Sequence, residues 1–490
     1  MSKQEFCGLL DSDTPLLDAL FRAVQRDRIS FHTPGHKKGQ GSDPQLQQLF
    51  GERAFLADLP ELPELDNLFA PEGAIAQAQY LAALCFGASA SWFLANGSTC
   101  GIEAAILATC GAGEKIILPR NIHISAISGL ILTGAMPVFI NPEYDPLSTL
   151  TYSITSEALK KTLKKDPDVK AVMVLHPSYQ GICSDLSAIA KIVHSYEIPL
   201  LVDEAHGAHF GFHHDLPPAA MSVGADLTVQ STHKVLGAMT QAAMLHLQGY
   251  CINPQRISKS LQLVQSTSPS YLLLASLDAA RKQMATTGQT LMNRAIGLAN
   301  YARREIAQIP NLAVLEFTSQ PGFAYLDQTR LTVDVSQLGI TGYRADEILH
   351  EQFGVTCELP LLNHLTFIIT FGNTVEDIEK LVAALKILAQ SHITSKSRSQ
   401  LNSTLPLPTP ELELTPREAY FAETKTVSLE QASGQISGEL ICPYPPGIPV
   451  VMPGEVITTE AIAYLRQILD AGGVVTGCQD SSLNTLEVIK

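Results

Sequence analysis

Lys234 lies in Gln230-Ser-Thr-His-Lys-Val-Leu-Gly-Ala-Met-Thr-Gln241, directly after a strand-like run, Ala225–Gln230, with Gly237 close behind. Its neighbours are small, polar or apolar rather than ionic, which argues against a solubility charge. Desolvation and nearby positive charge favour a neutral amine, the form that attacks a carbonyl. The stretch points to an imine between Lys234 and an aldehyde cofactor, with Ser231 and His233 placed to hold phosphate oxygens. Three further groups fit the same chemistry. Asp203 follows the apolar run Leu200–Val202, and a buried carboxylate is costly without a cation or donor. A pyridinium N–H would be such a partner; a cap for the next loop is the structural alternative. Gly97-Ser98-Thr99 at a helix start offers free N–H groups and hydroxyls to a phosphate, or serves as an ordinary cap. His123, in Pro119-Arg-Asn-Ile-His-Ile-Ser125, could stack on the outer face of a cofactor ring or be a half-buried structural histidine.

These groups need a scaffold, and the hydrophobic pattern supplies one. From about Ala74 helix and strand alternate: helix Ala74–Phe86, strand Ser91–Ala95, a tight turn Asn96–Thr99 and helix Gly101–Cys110. Strand Lys115–Leu118, helix His123–Leu132 and strand Met136–Ile140 come next. The pattern continues with helix Ser156–Lys164, strand Ala171–Leu175, helix Leu186–Tyr196, strand Leu200–Asp203 and a final strand Ala242–Leu247. Short apolar strands between amphipathic helices predict βαβ crossovers and a mostly parallel sheet. In such sheets chemistry collects at the C-terminal strand ends, and the four groups fall at or near those ends. Before this region, residues 1–28 predict one amphipathic helix. The turn-rich cationic stretch His32–Gly39 and an irregular segment with Pro60 and Pro63 come after it. Beyond the sheet, a long helix from Tyr271 to about Ile309 leads to strands Leu312–Phe317, Arg330–Val335 and Thr366–Thr370 with helices Tyr343–Gln352 and Thr374–Leu388. The expected division is 29–290 for a major domain, 291–392 for a small α+β domain, 393–415 for a Ser/Thr/Pro-rich linker and 416–490 for a C-terminal domain with a helix around Thr459–Ala471.

The bulk properties narrow the class. At 490 residues and 46% hydrophobic content, roughly two to four domains are expected. The 17% charged content is below the ~25% of typical soluble domains and suits a large interior or subunit interfaces. A formal net charge of −15 argues against nucleic acid and anionic membrane as partners. The nine cysteines are scattered, with no close CxxC pair, which is the usage of reduced cytosolic thiols. The N-terminus carries acidic residues where a signal peptide would be apolar, and no apolar run reaches the ~20 residues of a bilayer span. A cytoplasmic protein is expected.

Phosphate turn, stacking histidine, strand-end aspartate and lysine after the next strand together resemble a fold-type I pyridoxal-phosphate domain. The sequence resembles the Orn/Lys/Arg decarboxylase family of the aspartate-aminotransferase-like α/β fold over nearly its full length. The motifs are FHTPGHKKG (31–39), ANGSTCG (95–101), PRNIHIS (119–125), HPSYQGICSD (176–185), VDEAHGAHF (202–210), QSTHKVLGAMTQ (230–241), STSPSYLLLASLD (266–278) and ELICPYPPGIPV (439–450). It looks most like the short bacterial branch without an N-terminal wing domain. The resemblance implies pyridoxal 5'-phosphate as cofactor, Lys234 as the imine lysine, Asp203 as partner of the pyridine nitrogen and His123 as the stacking residue. Ser98, Thr99, Ser231 and His233 would contact the phosphate, and His206 would lie beside the ring. Ser266–Pro269 resembles a segment that reaches the cofactor from a neighbouring subunit, which implies a homodimer or higher homo-oligomer with the active site at the interface. Ile124 departs from the family, where many relatives have lysine.

The implied reaction is decarboxylation of a basic amino acid, arginine first, lysine or ornithine next, with His233 or Lys234 returning a proton to Cα. Glu439 or Asp66 could meet the distal cation, against a structural role for each. An aminotransferase on the same fold is disfavoured because no arginine sits in a motif for gripping the α-carboxylate. A metal hydrolase using His206, His209, His213 and His214 lacks an HExxH-type acid–base spacing, and no metal is expected. A scaffold protein that only kept the fold is disfavoured by the intact cofactor set.

Overall fold

A computed structural model describes residues 14–392 and 406–490. Residues 1–13 of the expected N-terminal helix and residues 393–405 of the expected linker lie outside the described residues. Among the described residues, one compact unit takes in those up to Ala108, Val202–His214 and Pro218–Leu291. The other takes in Thr109–Leu201, Asp215–Pro217 and the residues from Met292 onward.

Seven strands carry the central architecture: β1 Ala90–Leu94, β2 Lys115–Pro119, β3 Met136–Ile140, β4 Ala171–Leu175, β5 Leu200–Asp203, β6 Leu227–Gln230 and β7 Ala243–Leu247. In the first unit the order is β1, β7, β6 and the end of β5. Here β7 runs antiparallel to both neighbours, pairing Trp92 with Leu245 and Val229 with Leu245. In the second unit β2 pairs in parallel with β3 and with β4, and Val172 N donates to Pro199 O just before β5. Nearly every residue of β4 to β7 is buried, as expected for strands covered on both faces.

The first unit is built around Leu16, Leu20, Ile75, Phe93, Met244, Tyr271 and Leu274. Helix Pro15–Val24 starts with proline at its first turn, where the missing N–H costs nothing, and the buried Asp278 carboxylate accepts from Leu16 N at 3.0 Å. The region read as irregular contains two short helices, Pro44–Phe50 and Glu52–Ala57. The loop behind them folds around one anion: the Asp66 carboxylate accepts from the backbone of Asn67, Glu72, Gly73, Ile75 and Ala76. Although burial opposes it, these amides hold its pKa below the usual carboxylate range.

A buried row of hydrogen bonds crosses this unit. Ser91 Oγ lies 2.7 Å from His246 Nδ1, His246 Nε2 lies 3.1 Å from Gln230 Oε1, and Gln230 Nε2 donates to Glu204 Oε2 at 2.8 Å. Glu204 Oε1 accepts from Ala220 N at 2.8 Å. Total burial pushes Glu204 up to about 8 and His246 down to about 3, so at pH 7 both are neutral.

The second unit places helices Ile124–Thr133, Ser156–Lys165 and Leu186–His194 after its strands. A four-stranded antiparallel sheet comes next, ordered Ala313–Val314, Arg330–Asp334, His364–Ile368, Leu359–Pro360. Helices Gly342–Phe353 and Val375–Ser391 share its core through Leu331, Leu349, Leu365, Phe367 and Leu385. The C-terminal part has its own core of Ile441, Val450, Val451, Leu465, Val475 and Val488. Thr424–Ser428 pairs there with Thr485–Ile489, and Cys442–Tyr444 with Val474–Thr476. Among the described residues no helix is long and apolar enough to cross a membrane.

Candidate active site

Seven of the expected residues belong to the first unit. The helix after β1 begins at Gly97, inside the expected tight turn and four residues before the expected start at Gly101, with Gly97 at φ +76°. Ser98 and Thr99 therefore lie in the first turn of a 13-residue helix, where backbone N–H groups have no partner within the helix. Gly101 lets that helix lie close to the sheet: a Cβ there would come within 2.7 Å of Leu94 Cδ1 and Val229 Cγ1. Ser231, just past β6, donates from Oγ to Ser98 Oγ at 2.7 Å. The ends of β1 and β6 thus place two hydroxyls at one spot beside a helix N-terminus, which suits a phosphate.

Asp203 closes β5 and is buried, and its carboxylate accepts from Ala205 N at 3.1 Å. Burial raises its pKa, opposed by the charge of Lys234 and by the Ala205 amide. Lys234 sits in the one-turn helix Thr232–Val235, with Nζ 2.9 Å from Nε2 of the buried His206. His206 is thereby drawn into the lysine's surroundings. Among the described residues it and His209 do not join His213 and His214 in a metal-ligand cluster. His233 Nδ1 is 3.1 Å from Ala242 O. Burial lowers its pKa, partly offset by that carbonyl, so its ring is neutral at pH 7. Ser266–Ser268 are exposed, and Ser266 N donates to Asn96 Oδ1 at 3.3 Å, next to Gly97.

His123 belongs to the second unit and is the N-cap of helix Ile124–Thr133, where its Nδ1 accepts from Ser125 N at 3.2 Å. That bond leaves the neutral ring's proton on Nε2. Glu439 lies in the C-terminal part, and its two oxygens accept from Gln479 N at 2.5 Å and Glu487 N at 2.8 Å. Asp66 is engaged by its five amides. Both acids therefore hold backbone in place. Sequence reading missed Glu204, although it directly follows Asp203. It also missed Arg120, buried against Glu455 at 3.2 Å, for which no local signal existed.

A buried carboxylate at one strand end, a lysine after the next strand and a hydroxyl-lined helix N-terminus, all on a wound α/β sheet, define a fold-type I pyridoxal-phosphate architecture. The profile described as "Orn/Lys/Arg decarboxylase, major domain" matches residues 14–323, and that of the family's C-terminal domain matches residues 399–478. The chain belongs to the Orn/Lys/Arg decarboxylase family. It is 41% identical over 481 residues to an arginine decarboxylase of Bacillus subtilis, spanning 98% of both chains. An arginine decarboxylase of Halalkalibacterium halodurans is also 41% identical, over 100% of this chain and 99% of that one. The lysine decarboxylase LdcA of Pseudomonas aeruginosa is 26% identical over 96% of this chain and 76% of its own. In fold, the chain is similar to the lysine decarboxylase LdcF of Francisella novicida, with a TM-score of 0.84 at 22% identity, covering 98% and 82% of the two chains.

Proposed function

We propose that this protein removes the α-carboxylate of L-arginine to give agmatine and CO2, using pyridoxal 5'-phosphate. The observation that carries the substrate is the 41% identity to arginine decarboxylases along 98% of the chain, against 26% for a lysine decarboxylase. Lysine and ornithine are the alternatives. Residues 29–290 are read as the cofactor-binding domain, 291–392 as the small domain and 416–490 as the C-terminal domain. The working form is a cytoplasmic homodimer or larger homo-oligomer in which Ser266–Pro269 completes the neighbouring site.

The residues fit the cofactor on their own chemistry. The buried Asp203 carboxylate has its pKa pushed up by burial, and a protonated ring nitrogen would supply the cation it needs. Ser98, Thr99, Ser231 and the N–H groups of helix Gly97–Thr109 would hold the phosphate, with His233 beside them. His123 would lie against the ring face. When bound, the cofactor withdraws the electrons left on Cα as CO2 departs. Lys234 Nζ is the amine that would hold the cofactor's aldehyde carbon. His206 Nε2, at 2.9 Å, keeps that amine oriented and offers a place for its proton. Lys234, or His233 after taking up a proton on Nε2 while Nδ1 donates to Ala242 O, would deliver a proton to Cα.

Purified protein supplied with L-arginine, L-lysine and L-ornithine separately, with product analysis, tests the substrate. Agmatine as the main product is expected; cadaverine or putrescine in its place overturns the assignment. Lys234→Ala is expected to lose both turnover and the visible absorbance of lysine-bound cofactor, and retention of both would remove Lys234 from its role.

A further inference from the structure

Helix Ile124–Thr133 is gripped at both ends by the C-terminal segment. At its start, Ile124 N donates to Gly447 O at 3.0 Å. Gly447 adopts φ +79°, and a Cβ there would stand 3.1 Å from His123 Nε2 and 3.2 Å from Cδ2. The loop carrying Gly447 is itself held: Tyr179 Oη donates to Pro446 O at 2.7 Å, and Arg120 donates to Pro449 O and Val450 O at 2.9 Å each. Arg120 stands three residues before His123, so the chain on either side of the histidine is tied to this loop. At the other end of the helix, Arg417 Nη1 donates to Ile131 O at 2.9 Å and Leu132 O at 2.8 Å. Those carbonyls have no partner within the helix.

The ring is confined as a result. Its Nδ1 edge is bound to Ser125 N and lies 2.9 Å from Ser125 Oγ, and its Nε2 edge lies against the bare Cα of Gly447. Turning the ring about Cα–Cβ would break the helix cap on one side or strike the loop on the other.

We infer that the C-terminal segment from Arg417 to Glu455 sets the position of the His123 ring, with Gly447 and Arg417 as positioning residues. This rests on His123 being the residue that stacks on the cofactor. A methyl group on Gly447 pushes the imidazole off its seat, and loss of Arg417 loosens the far end of the helix that carries it.

The test uses Gly447→Ala, His123→Ala and the double variant, loaded with pyridoxal phosphate. It reads cofactor affinity by absorbance titration and the visible circular dichroism of the bound cofactor, with far-ultraviolet dichroism as the check on folding. Contacting residues couple by amounts that correspond to roughly 2- to 150-fold. A ~10-fold loss of affinity with a smaller visible dichroism band is expected for each single variant, and no further loss when Gly447→Ala is added to His123→Ala. A folded Gly447→Ala protein with wild-type affinity and dichroism, or equal losses with and without His123, overturns the positioning role. Wild-type affinity in His123→Ala instead overturns the stacking reading beneath it. Arg417→Gln leaves Gly447 untouched and covers the case in which alanine at φ +79° prevents folding. Its smaller loss is expected to vanish in the His123→Ala background, and an unchanged loss there overturns the proposal.

Discussion

Replacing Glu204 by glutamine should flatten the dependence of stability on pH. Glu204 is fully buried, and its pKa is pushed up to about 8 from an ordinary 4.5. An unfolded chain releases this proton near pH 4.5, while the folded chain keeps it until about pH 8. Between those values the unfolded state binds fewer protons, so stability falls as pH rises. At ~1.36 kcal/mol per pKa unit, the full window of about 3.5 units corresponds to roughly 5 kcal/mol, most of it lost by pH 8. Glutamine is a permanently neutral replacement that fits the existing row. Its oxygen can accept from Ala220 N and its amide can donate to Gln230. Turning the Gln230 amide then lets it donate to His246 Nε2, and His246 to Ser91. Urea unfolding of both proteins at pH 5.5, 7 and 8.5 measures the effect. The wild type should lose about 3 kcal/mol relative to Glu204→Gln across that range. Parallel pH profiles would show that Glu204 is not a buried neutral acid.

Asp203→Asn keeps the shape of the side chain but removes the anion, and turnover of the loaded enzyme should fall by ~10²–10³, as for loss of one preorganised electrostatic partner. Steady-state kinetics at saturating cofactor checks this, and a fall below twofold would refute the role. Arg120→Met leaves Glu455 buried without its partner, a change expected to cost about 3–5 kcal/mol. Burial already pushes Glu455 up to about 7, so the loss, read from denaturant midpoints, should be smaller at pH 5.5 than at pH 8.

Much of the sheet was legible because its strands are short apolar runs of the right length. Met136–Ile140, Ala171–Leu175 and Leu200–Asp203 stand where their patterns end. Asp203 was readable for the same reason: a carboxylate ending an apolar run needs a partner. Helices Pro44–Phe50 and Pro254–Val264 escape the pattern although Asp43 and Asn253 cap them and proline opens each. The first places Leu46, Leu49 and Phe50 at helical spacing, but its 7 residues span only about two turns and bury none of them, too short a run to stand out as a helix. Glu439 and Asp66 looked available for a substrate cation, since a sequence does not reveal which carboxylates are taken up by backbone amides. The grip of Gly447 on His123 links positions 324 residues apart (447 − 123), beyond the reach of any local pattern.

The row from Ser91 to Glu204 bears on how strands find their partners during folding. It places one polar side chain each on β1, β7, β6 and the residue just after β5, so it closes only when Ser91 faces His246 and Met244 faces Gln230. A one-residue slip turns every side chain of the moved strand to the opposite face. The apolar strands themselves would tolerate such a slip, since Val229, Leu245 and Phe93 are buried whichever way they point. The polar row would not, because it would leave an amide and an imidazole stranded in hydrocarbon. A row that takes no part in the chemistry thus proofreads the pairing that brings Asp203 and Lys234 into alignment.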